Sequence, residues 1–238
     1  RKRPFALGKA SPALAPDVTV LVPSYRHEAY VGDAIRSVLA QRYGGFKLLV
    51  VDDGSPDATV EKAKAIADPR IEVRTNATNL GLGNSVLQAL ATVDTPFVAL
   101  LNSDDLFHPD RLGRCRDVLL ADPSVHLVTT GLSLVDESGG QITKANASLV
   151  LDGRLVYDWV HWYERAQPPA DLPHDQLFAR LLESNFLATS SNLVARTDWL
   201  RAQGESLKSL KYCLDWQLFL QAALEGSLHH VHEPLAAY

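Results

Sequence analysis

Carboxylates stand in this chain where they can do chemistry. Asp52-Asp53 closes the mainly apolar run Phe46–Val51, and Asn102-Ser103-Asp104-Asp105 closes the run Phe97–Leu101. A further acid, Asp215, opens a late amphipathic segment. Apolar runs of this length read as strands buried on both faces. In open α/β sheets, ligands bind at the carboxyl ends of such strands. Four carboxylates gathered on one rim repel one another unless a cation or a hydrogen-bond donor satisfies them. A nucleoside diphosphate with a divalent metal offers both: an N–H on the base, hydroxyls on the ribose, and phosphates that carry the metal. Each acid taken alone has a plainer reading. Asp105 precedes a helical segment and Asp215 starts one, so either could be a helix cap.

The elements that must position these acids alternate. Val18–Val22 is a strand stopped by Pro23, and Tyr30–Gln41 has helical spacing with Val31, Ile35, Val38 and Leu39 on one face. The strand Phe46–Val51 follows, and Ser55-Pro56-Asp57 opens another helix. Ile71–Arg74 is a short strand, and Asn79–Ala91 is a helix entered through Gly81 and Gly83. The strand at Phe97 comes next. This β-α-β-α-β-α-β order predicts a mainly parallel sheet with right-handed crossovers and helices on its flanks. The carboxyl rim then carries Pro23-Ser24-Tyr25 beside the two acidic strand ends. Beyond Asp105 the expected elements are a helix over Pro109–Ala121 and a strand over Val125–Thr130. A Pro-rich loop over Gln167–Pro173, a strand over Phe186–Ala195 and a helix over Thr197–Gln203 follow. The chain ends with a helix over Leu214–Leu224 and a strand over Leu228–His232.

Bulk properties narrow the class. The chain has 238 residues, 46% hydrophobic and 21% charged, with a net charge of -5, which describes an ordinary globular core and gives no reason to expect nucleic acid. Its 2 cysteines, Cys115 and Cys213, lie too far apart in sequence to read as a metal-binding pair, which favours a reducing compartment. No apolar run approaches the ~18 residues of a membrane span, and no signal peptide is visible. The absence of Met, even at position 1, reads as a fragment or a trimmed product. Residues 1–17, rich in Pro and Ala, read as an N-terminal arm. Phosphate loops of the G-x-x-x-x-G-K-[ST] and G-x-G-x-x-G types are missing, so neutralisation of phosphate would fall to a metal.

The run VTVLVPSYRHEAYVGDAIRSVLAQRYGGFKLLVVDDGSPDAT resembles the opening of the family 2 inverting glycosyltransferases of GT-A fold. The resemblance continues through Asn79-Leu80-Gly81, Asn102–Asp105, Ser190-Ser191-Asn192 and Asp215-Trp216, over roughly residues 18–238. It implies one GT-A domain, with a nucleotide-binding half over 18–105 and an acceptor half over 106–238. Pro23 and Tyr25 would flank the base with Ser24 between them. Asp53 would accept the base N–H beside Asp52, with Asn79 and Gly81 close by. Asn102, Ser103 and Asp104 would face the ribose or diphosphate. Asp105, with Asp104, would hold Mg²⁺ or Mn²⁺, and Asp215 would be the general base. Asn102 stands where the family commonly has an acid, and Leu214 where it often has Glu.

The implied reaction moves a sugar from a UDP- or dTDP-sugar to a hydroxyl of a glycan or lipid-linked acceptor, in the cytoplasm or at the inner face of the membrane. Two rivals remain open: a nucleotide-sugar-binding module without turnover, and a sugar nucleotidyltransferase. Weaker signals are Trp216 and Trp162, each readable as an acceptor wall or as core packing. His230 and His232 would share one face of a strand; as metal ligands they are a minor reading.

Overall fold

The computed structural model describes residues 15–136, 140–142, 150–151, 154–155, 163, 167, 172–209 and 213–238. Strand β1 (Val18–Ser24), helix α1 (Val31–Leu39), β2 (Phe46–Asp52), α2 (Thr59–Lys64), β3 (Ile71–Thr75), α3 (Leu82–Leu90) and β4 (Phe97–Leu100) reproduce the alternation read from the sequence. A short β5 (Leu106–Phe107), α4 (Arg111–Ala121) and β6 (Leu127–Ser133) follow. Then come a small hairpin of β7 (Val150–Leu151) and β8 (Arg154–Leu155), α5 (His174–Glu183), a 3-10 turn at Ser190–Asn192 and β9 (Val194–Arg196). The chain finishes with α6 (Thr197–Ala202), α7 (Gly204–Ser209), α8 (Leu214–Leu224) and β10 (Leu228–Ala237). Of the arm expected over residues 1–17, residues 1–14 lie outside the described residues. Asp17 belongs to the folded body: its N–H donates to the Gly45 carbonyl at 3.0 Å and its carboxylate accepts from Arg116.

Among the described residues, eight strands form one sheet in the order β3-β2-β1-β4-β9-β6-β10-β5. The pairs β1–β2, β2–β3, β1–β4 and β6–β10 are parallel, whereas β9 runs antiparallel to both its neighbours and β5 antiparallel to β10. Side-chain alternation along each strand separates two cores. Val18, Val20 and Val22 of β1 pack with Ile35 and Val38 of α1 and with Leu112 and Leu119 of α4. Leu21 faces the other way, into Leu49, Val98, Val86 and Leu90 and the Leu218-Phe219 pair of α8. Apolar runs without alternation are what a sheet covered on both faces requires.

Two elements differ from expectation. The strand foreseen over Phe186–Ala195 shrinks to Val194–Arg196. Ala188 takes a left-handed φ of 63°, and Ser190–Asn192 coils because its side chains bond to neighbouring strands instead of extending a ladder. The last strand runs on past His232 to Ala237. Its register shifts at Pro234, which cannot donate to a ladder. Gly131 lies opposite this bulge, where a Cβ would come within 2.7 Å of the His232 carbonyl oxygen.

Asn192 shows how the coil is tied in. The β6–β9 ladder stops at Val128–Val194. Two residues further along each strand, the Thr130 N–H donates to Asn192 Oδ1 at 2.7 Å and Asn192 Nδ2 donates to the Thr130 carbonyl at 2.9 Å. A fully buried side chain thus stands in for a missing ladder rung. Asn192→Leu leaves both Thr130 backbone groups buried without partners, each worth about 1–3 kcal/mol. The expected loss of stability in urea unfolding is on the order of 3 kcal/mol. A change smaller than about 1 kcal/mol would show that these bonds are replaced by others.

Candidate active site

Strands β2, β1 and β4 are neighbours, so the loops that follow them meet on one rim. Ser24 and Asp52, the last residues of β1 and β2, are register partners. Asp52 is 1% exposed; its Oδ2 accepts from the Ser55 N–H at 2.9 Å. Asp52 Oδ1 and Ser24 Oγ are buried, and neither has a partner among the described residues.

Asp53 has a different task. Its Oδ1 accepts from Asn76 Nδ2 at 2.8 Å, the Leu80 N–H at 2.9 Å and Ser85 Oγ at 2.7 Å, while Oδ2 accepts from the Gly81 N–H at 2.8 Å. Burial pushes the carboxyl up, but these four donors outweigh it and hold the group below its ordinary range. Asp53 therefore anchors the loop leading into α3. Only Oδ2 keeps room for another donor, such as the base N–H that the resemblance assigns to it. Asn79 is occupied in the same loop, its Oδ1 accepting from Gly81 N at 3.1 Å. Gly54, with φ 74°, lets the Asp52–Ser55 turn pass within contact of Thr78, where a Cβ would lie 3.0 Å from the carbonyl carbon.

The rim after β4 is cross-linked to the coil before β9. The Asn102 N–H donates to Ser191 Oγ at 2.8 Å, Asn102 Nδ2 donates to Thr189 Oγ1 at 3.0 Å, and Ser190 Oγ donates to Asn102 Oδ1 at 2.7 Å. An amide both gives and accepts here; a carboxylate could only accept. Asn102 is thus committed to scaffold bonds, which accounts for an amide at this position.

The two acids that follow part company. Asp105 is 4% exposed, and its Oδ2 accepts from Ser191 Oγ at 2.5 Å and Thr189 Oγ1 at 3.2 Å. Burial, then the charge on Asp104, raises its carboxyl to about 7, against the hydrogen bonds that stabilise the anion. Asp105 does not cap a helix: β5 follows it, and α4 starts only at Arg111. Asp104 keeps a side chain 48% exposed, 4.0 Å from His27 Nδ1, and Ser103 Oγ lies 2.7 Å from the same nitrogen. Of the pair foreseen as metal ligands, Asp104 is the one open to solvent.

Across from them, Asp215 sits in the first turn of α8, two residues past the N-cap Cys213, which takes a left-handed φ of 58°. Its Oδ1 accepts from the Trp216 N–H at 2.8 Å, and burial raises its carboxyl above the ordinary range. Trp216 Nε1 donates to the Leu181 carbonyl at 2.8 Å and pins α8 to α5. That contact favours packing over an acceptor wall. Trp162 and most of its aromatic neighbours lie outside the described residues. Tyr163 is buried, its hydroxyl accepting from the Leu132 N–H at 2.9 Å.

Tyr238 and His27 join the site without having been singled out in the sequence. Ala237 pairs with Leu106 in antiparallel register, which brings Tyr238 opposite Asp105. Burial raises its phenol, and the charges of Asp105, Asp104 and Asp215 raise it further. One hydroxyl therefore feels both the strand-end acids and the acid of α8. His27 carried a signal that could be read, two residues beyond Tyr25 on a rim loop. The late histidines do not join. His230 pairs mid-strand with Thr129, its Nδ1 3.0 Å from the threonine Oγ1, and burial with the neighbouring His232 and His229 drives it down to about 3. Among the described residues, no three His, Cys, Asp or Glu side chains cluster as a metal site. A divalent ion that takes one or two carboxylates and completes its shell with substrate phosphate and water fits Asp104.

A mainly parallel sheet with helices on both faces and an acid-lined carboxyl rim is the arrangement of a GT-A domain. The chain belongs to glycosyl transferase family 2, whose model matches residues 19–175. It is 34% identical over 178 residues to the succinoglycan biosynthesis protein ExoO of Rhizobium meliloti (strain 1021), covering 74% of this chain and 45% of that protein. It is 37% identical over 95 residues to the Escherichia coli UDP-Glc:alpha-D-GlcNAc-diphosphoundecaprenol beta-1,3-glucosyltransferase WfgD, covering 40% of this chain and 38% of that one. The chain thus spans less than half the length of these curated relatives. Among solved structures, S. aureus TarS 1-349 in complex with UDP-GlcNAc matches 93% of this chain and 58% of its own with a TM-score of 0.64 at 19% identity. The mannosyltransferase PcManGT from Pyrobaculum calidifontis, in complex with GDP-Man and Mn2+, matches 100% and 60% with a TM-score of 0.59 at 17% identity.

The anchoring role of Asp53 has a pH signature. Its folded-state carboxyl lies below its ordinary value. It therefore adds stability at neutral pH that is lost as pH falls through the folded-state value. Asp53→Asn sets an amide N–H against the Gly81 N–H and should lower the urea midpoint at pH 7. The gap between variant and wild type should narrow below about pH 4. A gap that stays constant across that range would mean the ionised carboxylate is not its source.

Proposed function

We propose that this chain is the catalytic domain of a glycosyltransferase that moves a sugar from a UDP- or dTDP-sugar to an acceptor hydroxyl with inversion. The observation that carries the reading is the opposition of two acids with different surroundings. Asp104 is open on the nucleotide rim and Asp215 is partly buried on α8, with the Tyr238 phenol within electrostatic reach of both. Family membership and relatives such as ExoO support a polysaccharide or lipid-linked acceptor. Among the described residues no helix is long and apolar enough to cross a membrane.

Each group has a task in this mechanism. The free side of Asp53 Oδ2 receives a donor from the nucleoside, beside Asp52. Asp104 faces the diphosphate and would hold Mg²⁺ or Mn²⁺, which when bound offsets the charge gathering on the leaving group. Asp215 accepts the proton of the acceptor hydroxyl as that oxygen attacks the anomeric carbon. A single displacement with one base inverts the configuration. Burial strengthens Asp215 as a base by raising its carboxyl, and the bond from the Trp216 N–H keeps Oδ1 oriented.

Two outcomes test this reading. Asp215→Asn should bind the donor as the wild type does and lose about 10²–10⁴-fold in transfer. Transfer at the wild-type rate would remove Asp215 from the role. Because the base must be ionised, kcat/KM should fall on the acid side with an apparent pKa above the ordinary Asp value of about 3.9. A profile flat down to pH 4 would contradict the burial argument. Donor binding with no turnover over a broad acceptor panel would instead favour the binding-module alternative.

A further inference from the structure

Arg26 is conspicuous on a rim made of acids. The loops after β1 to β4 (residues 25–30, 53–58, 76–81 and 101–105) contain Glu28, Asp53, Asp57, Asp104 and Asp105, and Arg26 is their only Lys or Arg. No carboxylate among the described residues pairs with it; its guanidinium carbon lies 5.3 Å from the centroid of the Tyr25 ring. Its backbone is in the left-handed region at φ 56°, where a Cβ crowds the following carbonyl. Glycine or asparagine takes that conformation readily; arginine does not. The turn is held from outside: the Arg26 N–H donates to Ser55 Oγ at 3.0 Å, and the Ser55 N–H donates to Asp52 Oδ2 at 2.9 Å. The next residue, His27, is 4.0 Å from the Asp104 carboxylate.

A strained turn that keeps an unpaired guanidinium on an acidic rim points from the outlier to a ligand. The nucleotide's diphosphate is the most anionic part of the donor, and this chain has no glycine-rich loop to supply it with backbone N–H groups. A guanidinium offers a planar fork of donors that matches two phosphate oxygens. Its place, one residue from the contact with Asp104, lies on the diphosphate side of the rim. We propose that Arg26 is a donor-binding residue whose guanidinium takes the diphosphate of the nucleotide sugar. Tyr25 parks the guanidinium until the donor arrives. The proposal rests on the nucleotide-donor reading above.

The test compares a nucleoside diphosphate with its nucleoside. UDP, dTDP and GDP are titrated into the wild type with Mn²⁺, and the tightest is carried forward with its nucleoside to the Arg26→Ala, Arg26→Lys and Arg26→Gly variants. Arg26→Ala should weaken the diphosphate by about 10–100-fold, the range for hydrogen bonds to charged groups. It should leave the nucleoside within about twofold. Arg26→Lys keeps the charge without the fork and should fall between. Arg26→Gly should lose as much affinity as Arg26→Ala yet unfold at a higher temperature than the wild type, since glycine relieves the turn. Diphosphate affinity within about twofold of wild type in Arg26→Ala would overturn the proposal. An equal loss for the nucleoside would overturn it too, by moving Arg26 to the base. A wild type that binds none of the three diphosphates would instead overturn the donor reading itself.

Discussion

The hydrogen bond from Ser191 to the buried carboxylate of Asp105 ties the rim of β4 to the coil that feeds β9. Behind the same serine lies Arg111, fully buried, its Nη2 donating to the Ser191 carbonyl at 3.0 Å and to Asn192 Oδ1 at 3.3 Å. Its Nη1 reaches Thr130 Oγ1, and its plane covers the Phe107 ring at 4.7 Å. Among the described residues no carboxylate bonds Arg111 directly; burial lowers its guanidinium, against Cys115 and then Asp105 nearby. Buried charges persist when hydrogen-bonded, and these bonds tie α4 to β6 and the coil. Removing Arg111 would take a buried donor from the Ser191 carbonyl, Asn192 Oδ1 and Thr130 Oγ1.

That arrangement explains how an acid-rich rim can exist in a folded protein. The acids do not all face the ligand. Asp53 is bonded by four donors from the loop it organises, and Asp105 by the hydroxyls of Thr189 and Ser191. Asp52 keeps one oxygen unpartnered, Asp104 is open, and Asp215 is raised by burial. Adjacent acids in sequence thus divide into one that builds and one that is free to bind. In Asp104-Asp105 the division is made by the turn between β4 and β5, where the Asp105 N–H donates to the Asn102 carbonyl at 3.0 Å: Asp105 is buried and the Asp104 side chain stays exposed.

The antiparallel β9 serves the same geometry. It lets the chain cross from the rim, where Ser190–Asn192 secures the β4 loop, back down between β4 and β6. The return through α6 to α8 then brings Asp215 to the far side of the cleft. The extension of β10 past the Pro234 bulge sets Tyr238 opposite Asp105.

Much of this was legible in the linear chain, for a physical reason. Alternation of buried strands with amphipathic helices is a local pattern, so β1 to β4 and α1 could be read within a residue or two of where they lie, and α3 within three. Polar residues at strand ends are local as well, which is why Asp52-Asp53, Asn102–Asp105 and Asp215 could be picked out and tied to a family. Hydrogen-bond occupancy is not local. Whether Asp53 or Asp105 is spent on scaffold depends on Asn76, Ser85, Thr189 and Ser191, distant in sequence and interchangeable with many other polar residues. The shortening of the strand foreseen over Phe186–Ala195 has the same origin: its propensity was real, but Asp105, Asn102 and Thr130 took its side chains. The sequence alone determined a mainly parallel α/β sheet with acids at its strand ends, and its motifs tied that sheet to the family 2 glycosyltransferases by resemblance. Only the tertiary structure decided which acids stay open, because that depends on which donors the fold carries to each oxygen.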